Sequence, residues 1–170
     1  SMGEEGVASR VLAPKFGGFM TFASVRASAE TAPGQPTLAD LHDLYRIRAI
    51  GRDTLVYGVI GWPVAHSLSP HVHNAGFEAV EHDGVYLPLP VGAHEKHEDA
   101  TYASFKATVG ALVQDEQLGF AGASVTIPHK EHLARFVREQ GAPDTVPEEV
   151  AHTHAANTLR VTPHPAHGGG

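Results

Sequence analysis

The alternation of short strand-like runs with stretches of helical periodicity, which starts at residue 55, constrains the fold more than any other feature of the sequence. Four runs have the length and composition of strands: Leu55–Ile60, Val85–Val91, Phe120–Ile127 and Asn157–Thr162. The first is apolar throughout, which is typical of a strand buried in a parallel sheet. Pro88 and Pro90 place the second at a sheet edge, because proline cannot donate to a neighbouring strand. This order predicts an α/β fold, a mostly parallel sheet with flanking helices.

Three stretches between these strands have helical spacing. Ser69 and Pro70 form a strong helix start, since proline in the first turn sacrifices no hydrogen bond. The residues expected to face inward from the three helices are Val72, Ala75, Ala79 and Val80, then Tyr102, Phe105, Val109, Leu112 and Val113, then Leu133, Phe136 and Val137. Gly141 is expected to end the third helix.

The first 48 residues have a different order of elements. Val7–Leu12 and Phe19–Ala23 are predicted strands, and Thr37 with Asp40 is predicted to cap a helix. This unit is too small to close a core by itself, so we expect it to be poorly ordered. We therefore divide the chain into residues 1–48, a connector at 49–54, an α/β domain at 55–162 and a low-complexity tail at 163–170.

Composition argues against several classes of function. The chain has 12 Lys and Arg against 19 Asp and Glu, a formal net charge of −7. It therefore lacks the excess of basic residues that is typical of a non-specific nucleic-acid binder. No run approaches the roughly 18 apolar residues of a membrane span, and the first residues show no signal or transit peptide pattern. Because there is no cysteine, disulfides, thiolate metal ligands and cysteine nucleophiles are excluded.

Polar side chains cluster where the first predicted strand ends. The segment Gly61–Asn74 follows that strand and enters a helix, at the edge of an α/β sheet where ligands bind. Ser67 and Ser69 could direct two hydroxyls at an anion, together with the free N–H groups of the helix start. The alternative is that Ser69 only caps the helix and Ser67 is a loop hydroxyl.

Two further clusters lie at strand ends. Lys130 falls in the first turn of a helix, where the dipole disfavours a cation. It could meet a substrate oxygen there and serve in general acid–base chemistry, or it is a solvated surface lysine. Thr126, just before it, is either a ligand or a plain strand residue. Asn157 could offer a donor and an acceptor to a polyol, or it is a turn residue.

The 13 histidines raise the alternative of a His-rich metal-binding protein. His71 and His73 are two residues apart, as are His152 and His154, and on a helix this spacing separates the rings by about 200°. Catalytic zinc needs three converging ligands, and no His-Glu-x-x-His pattern is present. We therefore expect solvated histidines and no metal.

Taken together, the three polar clusters resemble motifs of the shikimate dehydrogenase family. Val59–Asn74, with its core His-Ser-Leu-Ser-Pro, is similar to the opening motif of the family. Ser124–Lys130 resembles its VTxPxK element, and Ala156–Thr158 resembles its A-x-N-T element. Because the three motifs occur in the family's order, they are far more specific together than any one alone.

The resemblance implies a role for each matching residue. Ser67 and Ser69 would donate hydroxyl hydrogen bonds to the shikimate carboxylate, and Thr126, Lys130 and Asn157 would meet the ring hydroxyls or the carboxylate. Lys130 would be the catalytic lysine that assists proton transfer as hydride moves between C3 and NADP. The family's partner aspartate and NADP-binding domain are not in this chain, which has no G-x-G-x-x-G segment opening a helix.

The first 48 residues resemble the end of a type I 3-dehydroquinate dehydratase, which is a (β/α)₈ barrel. The similarity lies in Gly6–Arg10, Phe16–Phe22 and Ala32–Gln35. It implies that this stretch is the last βα part of such a barrel, in which Arg10 would bind the dehydroquinate carboxylate and Thr31 and Gln35 would contact the substrate. The Schiff-base lysine and its partner histidine would lie upstream, so the site would be a remnant.

A dehydratase end followed by a dehydrogenase start is the layout of plant-type bifunctional enzymes. It implies a fragment of an enzyme that dehydrates 3-dehydroquinate and reduces 3-dehydroshikimate to shikimate with NADP, in the plastid of a plant or alga or otherwise in the cytoplasm. The expected partner is this small-molecule substrate, with no nucleic acid and no membrane, and the fragment alone would be inactive. The alternative is a shikimate- or quinate-binding module without catalysis.

Overall fold

The described residues of the computed structural model are 6–26, 35–93, 97–140 and 148–162. The helices are α1 (Gly6–Val11), α2 (Ser69–Ala79), α3 (Glu98–Gln114), α4 (Lys130–Glu139) and α5 (Glu148–Thr153). Shorter helical segments occur at Pro14–Phe16, Asp40–Leu44 and Ile47–Ala49. The strands are β1 (Leu55–Gly61), β2 (Gly84–Pro90), β3 (Phe120–Val125) and β4 (Thr158–Arg160).

The strands form one sheet in the order β2-β1-β3-β4. The central strand, β1, pairs in parallel with β2 and with β3, and β4 is antiparallel to β3. The prediction of a mostly parallel sheet is confirmed, and the two prolines lie on an edge strand as expected. This topology brings the carboxyl ends of β1, β2 and β3 to one edge of the sheet, where β4 begins.

The apolar faces of α3 and α4 cover the sheet in one core. Phe105, Val109 and Leu133 are completely buried, and they belong to the same cluster as Ile60 and Leu87 of the sheet. Burying side chains of this size contributes roughly 1.5–3 kcal/mol each. The positions predicted to face inward from these two helices are largely confirmed, with Val113 the exception at 39% exposed, while Gly141 lies outside the described residues.

Helix α2 begins at the predicted residue, but the face predicted to be buried is wrong. Val72 and Val80 are 67% and 72% exposed, whereas Asn74 is only 2% exposed. The reason is that α2 lies beside the edge strand β2, where the amide of Asn74 hydrogen-bonds the backbone of Tyr86. A polar contact therefore orients this helix.

The two strands predicted before residue 24 are wrong. Residues 6–11 form α1, because Val7 and Val11 are one helical turn apart and pack against the core. Residues 18–23 belong to neither a helix nor a strand, and the nearest pairing is a bridge between Ser24 and Thr37. The predicted cap is confirmed: the Asp40 N–H donates to Thr37 Oγ1 at 3.0 Å, and the Thr37 N–H donates to Asp40 Oδ2 at 2.9 Å.

The expectation that this N-terminal stretch is poorly ordered is wrong for its described residues. Val11, Leu41 and Tyr45 are buried in the same cluster as the sheet. Lys15, only 6% exposed, donates from Nζ to the carbonyl oxygens of Arg52 at 2.6 Å and of Thr54 at 2.8 Å. The stretch thus completes the core of the α/β domain instead of forming its own.

Candidate functional site

The first two motif segments are joined by backbone hydrogen bonds at the carboxyl ends of β1 and β3. The Thr126 N–H donates to the Ile60 carbonyl at 2.9 Å, and the Trp62 N–H donates to the Ile127 carbonyl at 3.0 Å. Gly61 allows this close approach, since a Cβ there would collide with Thr126 Cγ2 and lie 2.9 Å from the Ile127 oxygen. The two segments therefore form one surface.

The third segment is attached to the second in the same way. The Val125 N–H donates to the Asn157 carbonyl at 2.8 Å, and the Ala156 N–H donates to the Lys130 carbonyl at 2.9 Å. Asn157 thus lies beside the turn that leads from β3 into α4. All three segments that the sequence singled out meet at one edge of the sheet.

The two serines of the first segment have different surroundings. Ser67 Oγ accepts a hydrogen bond from the Ser69 N–H at 3.2 Å, so Ser67 satisfies one of the free N–H groups at the start of α2. Ser69 Oγ has no hydrogen-bond partner among the described residues, and both side chains are half-buried. A hydroxyl and the positive end of a helix are therefore available to an anion at this place.

The polar groups of the other two segments are accessible as well. Lys130 is the first residue of α4 and is exposed, and no described residue forms a hydrogen bond or ion pair with its ammonium group. Thr126 is half-buried. Asn157 is exposed, and its Oδ1 accepts from Thr158 Oγ1 at 3.0 Å. The edge thus offers one cation, hydroxyls and an amide, a set suited to an anionic polyol.

Sequence reasoning missed two histidines next to this edge. His129 is completely buried, with Nε2 2.9 Å from the Val91 carbonyl oxygen and Nδ1 2.9 Å from Nδ1 of His132. Burial lowers the pKa of His129, and the neighbouring His132 lowers it further, against the bond to Val91. The signal was their three-residue spacing, which puts both on the face of α4 that also carries Leu133 and Phe136.

Two of the three residues expected to contact dehydroquinate lie among the described residues. Arg10 lies in α1, and its carbonyl accepts from Thr21 Oγ1 at 2.9 Å. Gln35 is buried and lines a cavity of about 180 Å³ with Val64 and Ala65, and Arg10 is not part of that lining. Thr31 lies outside the described residues.

The described part of the chain shows no group of three or more His, Asp or Glu residues placed to hold a metal ion. His71 is exposed, whereas the ring of His73 stacks on Tyr86 with centroids 4.2 Å apart. Across residues 6–26, 35–93, 97–140 and 148–162, no helix has both the length and the apolar character to cross a membrane.

Two family models match different parts of the chain. The model of the shikimate dehydrogenase substrate binding domain matches residues 59–159, and the type I 3-dehydroquinase model matches residues 1–52. The bifunctional 3-dehydroquinate dehydratase/shikimate dehydrogenase, chloroplastic, of Arabidopsis thaliana is 48% identical over 130 residues, which are 76% of this chain and 19% of that protein.

Relatives named only as shikimate dehydrogenases match a shorter part of the chain. Shikimate dehydrogenase (NADP(+)) of Acidiphilium cryptum is 43% identical over 106 residues, 62% of this chain and 32% of that protein. The crystal structure of Mycobacterium tuberculosis shikimate dehydrogenase aligns with 65% of this chain and 35% of its own, at 32% identity and a TM-score of 0.49. The chain spans between 19% and 32% of the length of these two curated relatives.

Proposed function

The chain belongs to the shikimate dehydrogenase family through its substrate-binding domain, and we propose that it is the shikimate-binding part of a bifunctional 3-dehydroquinate dehydratase/shikimate dehydrogenase. The longer enzyme would dehydrate 3-dehydroquinate and reduce 3-dehydroshikimate to shikimate. One observation carries the proposal: the three motif segments meet at one sheet edge, held by backbone hydrogen bonds between Thr126 and Ile60 and between Val125 and Asn157.

The chemistry of the edge suits this substrate class. The carboxylate of shikimate would bind at Ser67, Ser69 and the N-terminus of α2, where hydroxyl and N–H donors favour an anion. Thr126 and Asn157 would bind ring hydroxyls. Lys130 Nζ would exchange a proton with the oxygen at C3, which gains a proton when the ketone becomes an alcohol.

The cofactor is proposed for the longer protein only. Relatives carry the name shikimate dehydrogenase (NADP(+)), but these 170 residues hold no G-x-G-x-x-G segment at the start of a helix. The residues present therefore do not fit NADP, and no step through it is derived from this chain. We expect no turnover by this chain alone.

The N-terminal stretch is proposed to be a dehydratase remnant at residues 1–48, joined by a connector at 49–54 to the substrate-binding domain at 55–162. Arg10, Thr31 and Gln35 would contact dehydroquinate in the longer enzyme. A plastid location is proposed because the Arabidopsis thaliana relative is named chloroplastic.

Titration of the ¹⁵N-labelled chain with shikimate, followed by NMR, tests the function. We expect shift changes confined to the edge defined by Ser67, Ser69, Thr126, Lys130 and Asn157. Lys130→Met should weaken binding about tenfold, the value of one charge-assisted hydrogen bond. Lys106→Met, which removes the same charge from α3, is the control. Equal affinity in the two variants, or no shifts at all, would contradict the proposal.

A further inference from the structure

A line of three side chains runs from the end of β2 to solvent beside α4. His129 Nε2 lies 2.9 Å from the Val91 carbonyl oxygen, and His129 Nδ1 lies 2.9 Å from His132 Nδ1. His132 Nε2 lies 2.5 Å from Glu98 Oε1. The two histidines are 0% and 4% exposed, while the side chain of Glu98 is 81% exposed. These are three hydrogen bonds in series, of which only the last reaches water.

Three hydrogen bonds need three protons. A carbonyl oxygen only accepts, so His129 donates from Nε2 to Val91. One of the two facing Nδ1 atoms must accept, and burial lowers the pKa of His129, the more deeply buried ring, so His129 Nδ1 accepts the proton of His132 Nδ1. The last bond then needs a proton between His132 Nε2 and Glu98, and two neutral imidazoles supply only two. The line therefore contains one proton more than neutral histidines would bring, balanced by the charge of the Glu98 carboxylate.

We propose that His129, His132 and Glu98 form a histidine brace, a positioning unit that holds this shared proton and fixes the first turn of α4, where Lys130 begins. The importance of that placement rests on the function proposed above for Lys130. The Val91 N–H also donates to the Gly61 carbonyl at 3.1 Å. The brace therefore connects the start of α4 to the ends of both β2 and β1, where the substrate edge is built.

Aromatic rings and charged side chains surround His129 and His132. Phe105 stacks on His129 at 5.0 Å between ring centroids, and the Tyr102 ring lies 5.6 Å from that of His132. The other charged or titratable groups around the surface cavity at His132 are Glu98, Glu131, Arg135, Arg138, Glu139 and His154. Of the described residues, Glu98 is the acidic group that is hydrogen-bonded to His132. Two neutral imidazoles supply protons for only two of the three bonds, so loss of the additional proton removes the outer bond, to Glu98, and leaves the bond between His129 and Val91.

Glu98→Gln tests the proton count directly. An amide at this position donates to His132 Nε2, so the same three hydrogen bonds form without the additional proton. In histidine side-chain ¹H–¹⁵N spectra recorded at about pH 6, wild-type His132 should carry protons on both nitrogens, because the hydrogen bond to Glu98 needs the additional proton. In Glu98→Gln it should be neutral, with His129 in the Nε2–H form in both proteins. Glu131→Gln, which removes a neighbouring carboxylate, should behave as wild type.

The amide of Ala156 reports the placement of α4, since it donates to the Lys130 carbonyl at 2.9 Å. In wild type its chemical shift should change when His132 loses the additional proton, and in Glu98→Gln it should show no such change. His129→Phe keeps the ring against Phe105 and removes two bonds, so we expect about tenfold weaker shikimate binding and no His132-linked pH dependence. If that variant does not fold, Glu98→Gln still tests the brace through the protonation state of His132.

The outcomes separate the two proposals. The brace is overturned, even if shikimate binds, if wild-type His132 is neutral at about pH 6. It is also overturned if the chemical shift of the Ala156 amide does not change when His132 loses the additional proton. If both signatures are present and shikimate does not bind, the brace stands and the proposed function fails. Shikimate binding with the same affinity and pH profile in His129→Phe and wild type also overturns the brace.

Discussion

The side-chain amide of Asn74 forms two hydrogen bonds with the backbone of Tyr86, donating to its carbonyl oxygen at 2.9 Å and accepting from its N–H at 2.8 Å. Tyr86 lies in β2, the edge strand, so these two groups face away from β1. Asn74 thus supplies the pairing that a further strand would give. Because Asn74 lies in α2, the contact also fixes the helix whose first residue is Ser69.

Asn74→Leu should destabilise the fold strongly. Leucine has a similar volume but leaves the buried N–H and carbonyl of Tyr86 unpaired, at a cost of about 2–4 kcal/mol. Denaturant unfolding measures the loss. Val72→Ala, at an exposed position of the same helix, is the control and should change the free energy of unfolding by less than about 0.5 kcal/mol. Equal losses in the two variants would mean that the contact does not stabilise α2.

Gly61→Ala should separate the first two motif segments. The added methyl group would collide with Thr126 Cγ2 and crowd the Ile127 carbonyl, so one strand end must move. We expect a loss of about 1–3 kcal/mol, as for other overpacked sites, together with weaker shikimate binding. Gly76→Ala in α2 meets no atom within 4 Å and should be neutral or stabilising. Unchanged stability and binding in Gly61→Ala would contradict the close approach.

The parts of the fold that could be predicted are those encoded by local patterns. The apolar run of β1, the prolines of β2, and the spacing of Phe105, Val109 and Leu133 each carry their own signal. Asn74 carries no such signal, and His129 carries only its spacing on the buried face of α4, because their burial depends on backbone partners 12 and 38 residues away. A pattern based on hydrophobicity assigns such polar residues to the surface.

The N-terminal stretch shows a second limit. The segment Val7–Leu12 satisfies a strand pattern and a helix pattern equally, so the local sequence alone does not distinguish between the two structures. The core of the α/β domain decides, because α1 buries Val11 against it. The candidate site was predictable from three motifs, but their backbone connections required the fold.

Ser67→Ala and Ser69→Ala should have different effects on stability and similar effects on binding. Ser67 Oγ accepts the Ser69 N–H, so its removal costs about 0.5–1.5 kcal/mol as a lost hydrogen bond at the helix start. Ser69 Oγ makes no such bond to the described residues, so its removal should leave the free energy of unfolding almost unchanged. Thermal unfolding and shikimate titration of both variants test this. A more destabilised Ser69→Ala would contradict the stabilising role of the hydrogen bond between Ser67 Oγ and the Ser69 N–H.

Lys15→Met should loosen the N-terminal stretch from the domain. The ammonium group donates to two carbonyls, of Arg52 and Thr54, and hydrogen bonds from charged groups contribute about 1.5–3 kcal/mol. Burial lowers the pKa of Lys15, against the raising effect of Asp53 and two further carboxylates, so part of this gain is offset. Hydrogen exchange at residues 6–26 should accelerate in the variant, while exchange in β1 and β3 should change less. Uniform acceleration over the whole chain would indicate global unfolding instead.

Glu139 should make stability fall in acid. The hydrogen bond from Lys106 first, and also that from Arg135, lower the pKa of Glu139 from 4.5 to about 2. Because the folded-state pKa is the lower one, the unfolded chain binds more protons between these values, and folding loses stability as the pH falls from 4.5 towards 2. Glu139→Gln should therefore flatten the free energy of unfolding over this range. Glu131→Gln, on the same helix, controls for the loss of a charge, and an acid slope as steep in Glu139→Gln as in this control would show that the contact between α3 and α4 contributes nothing.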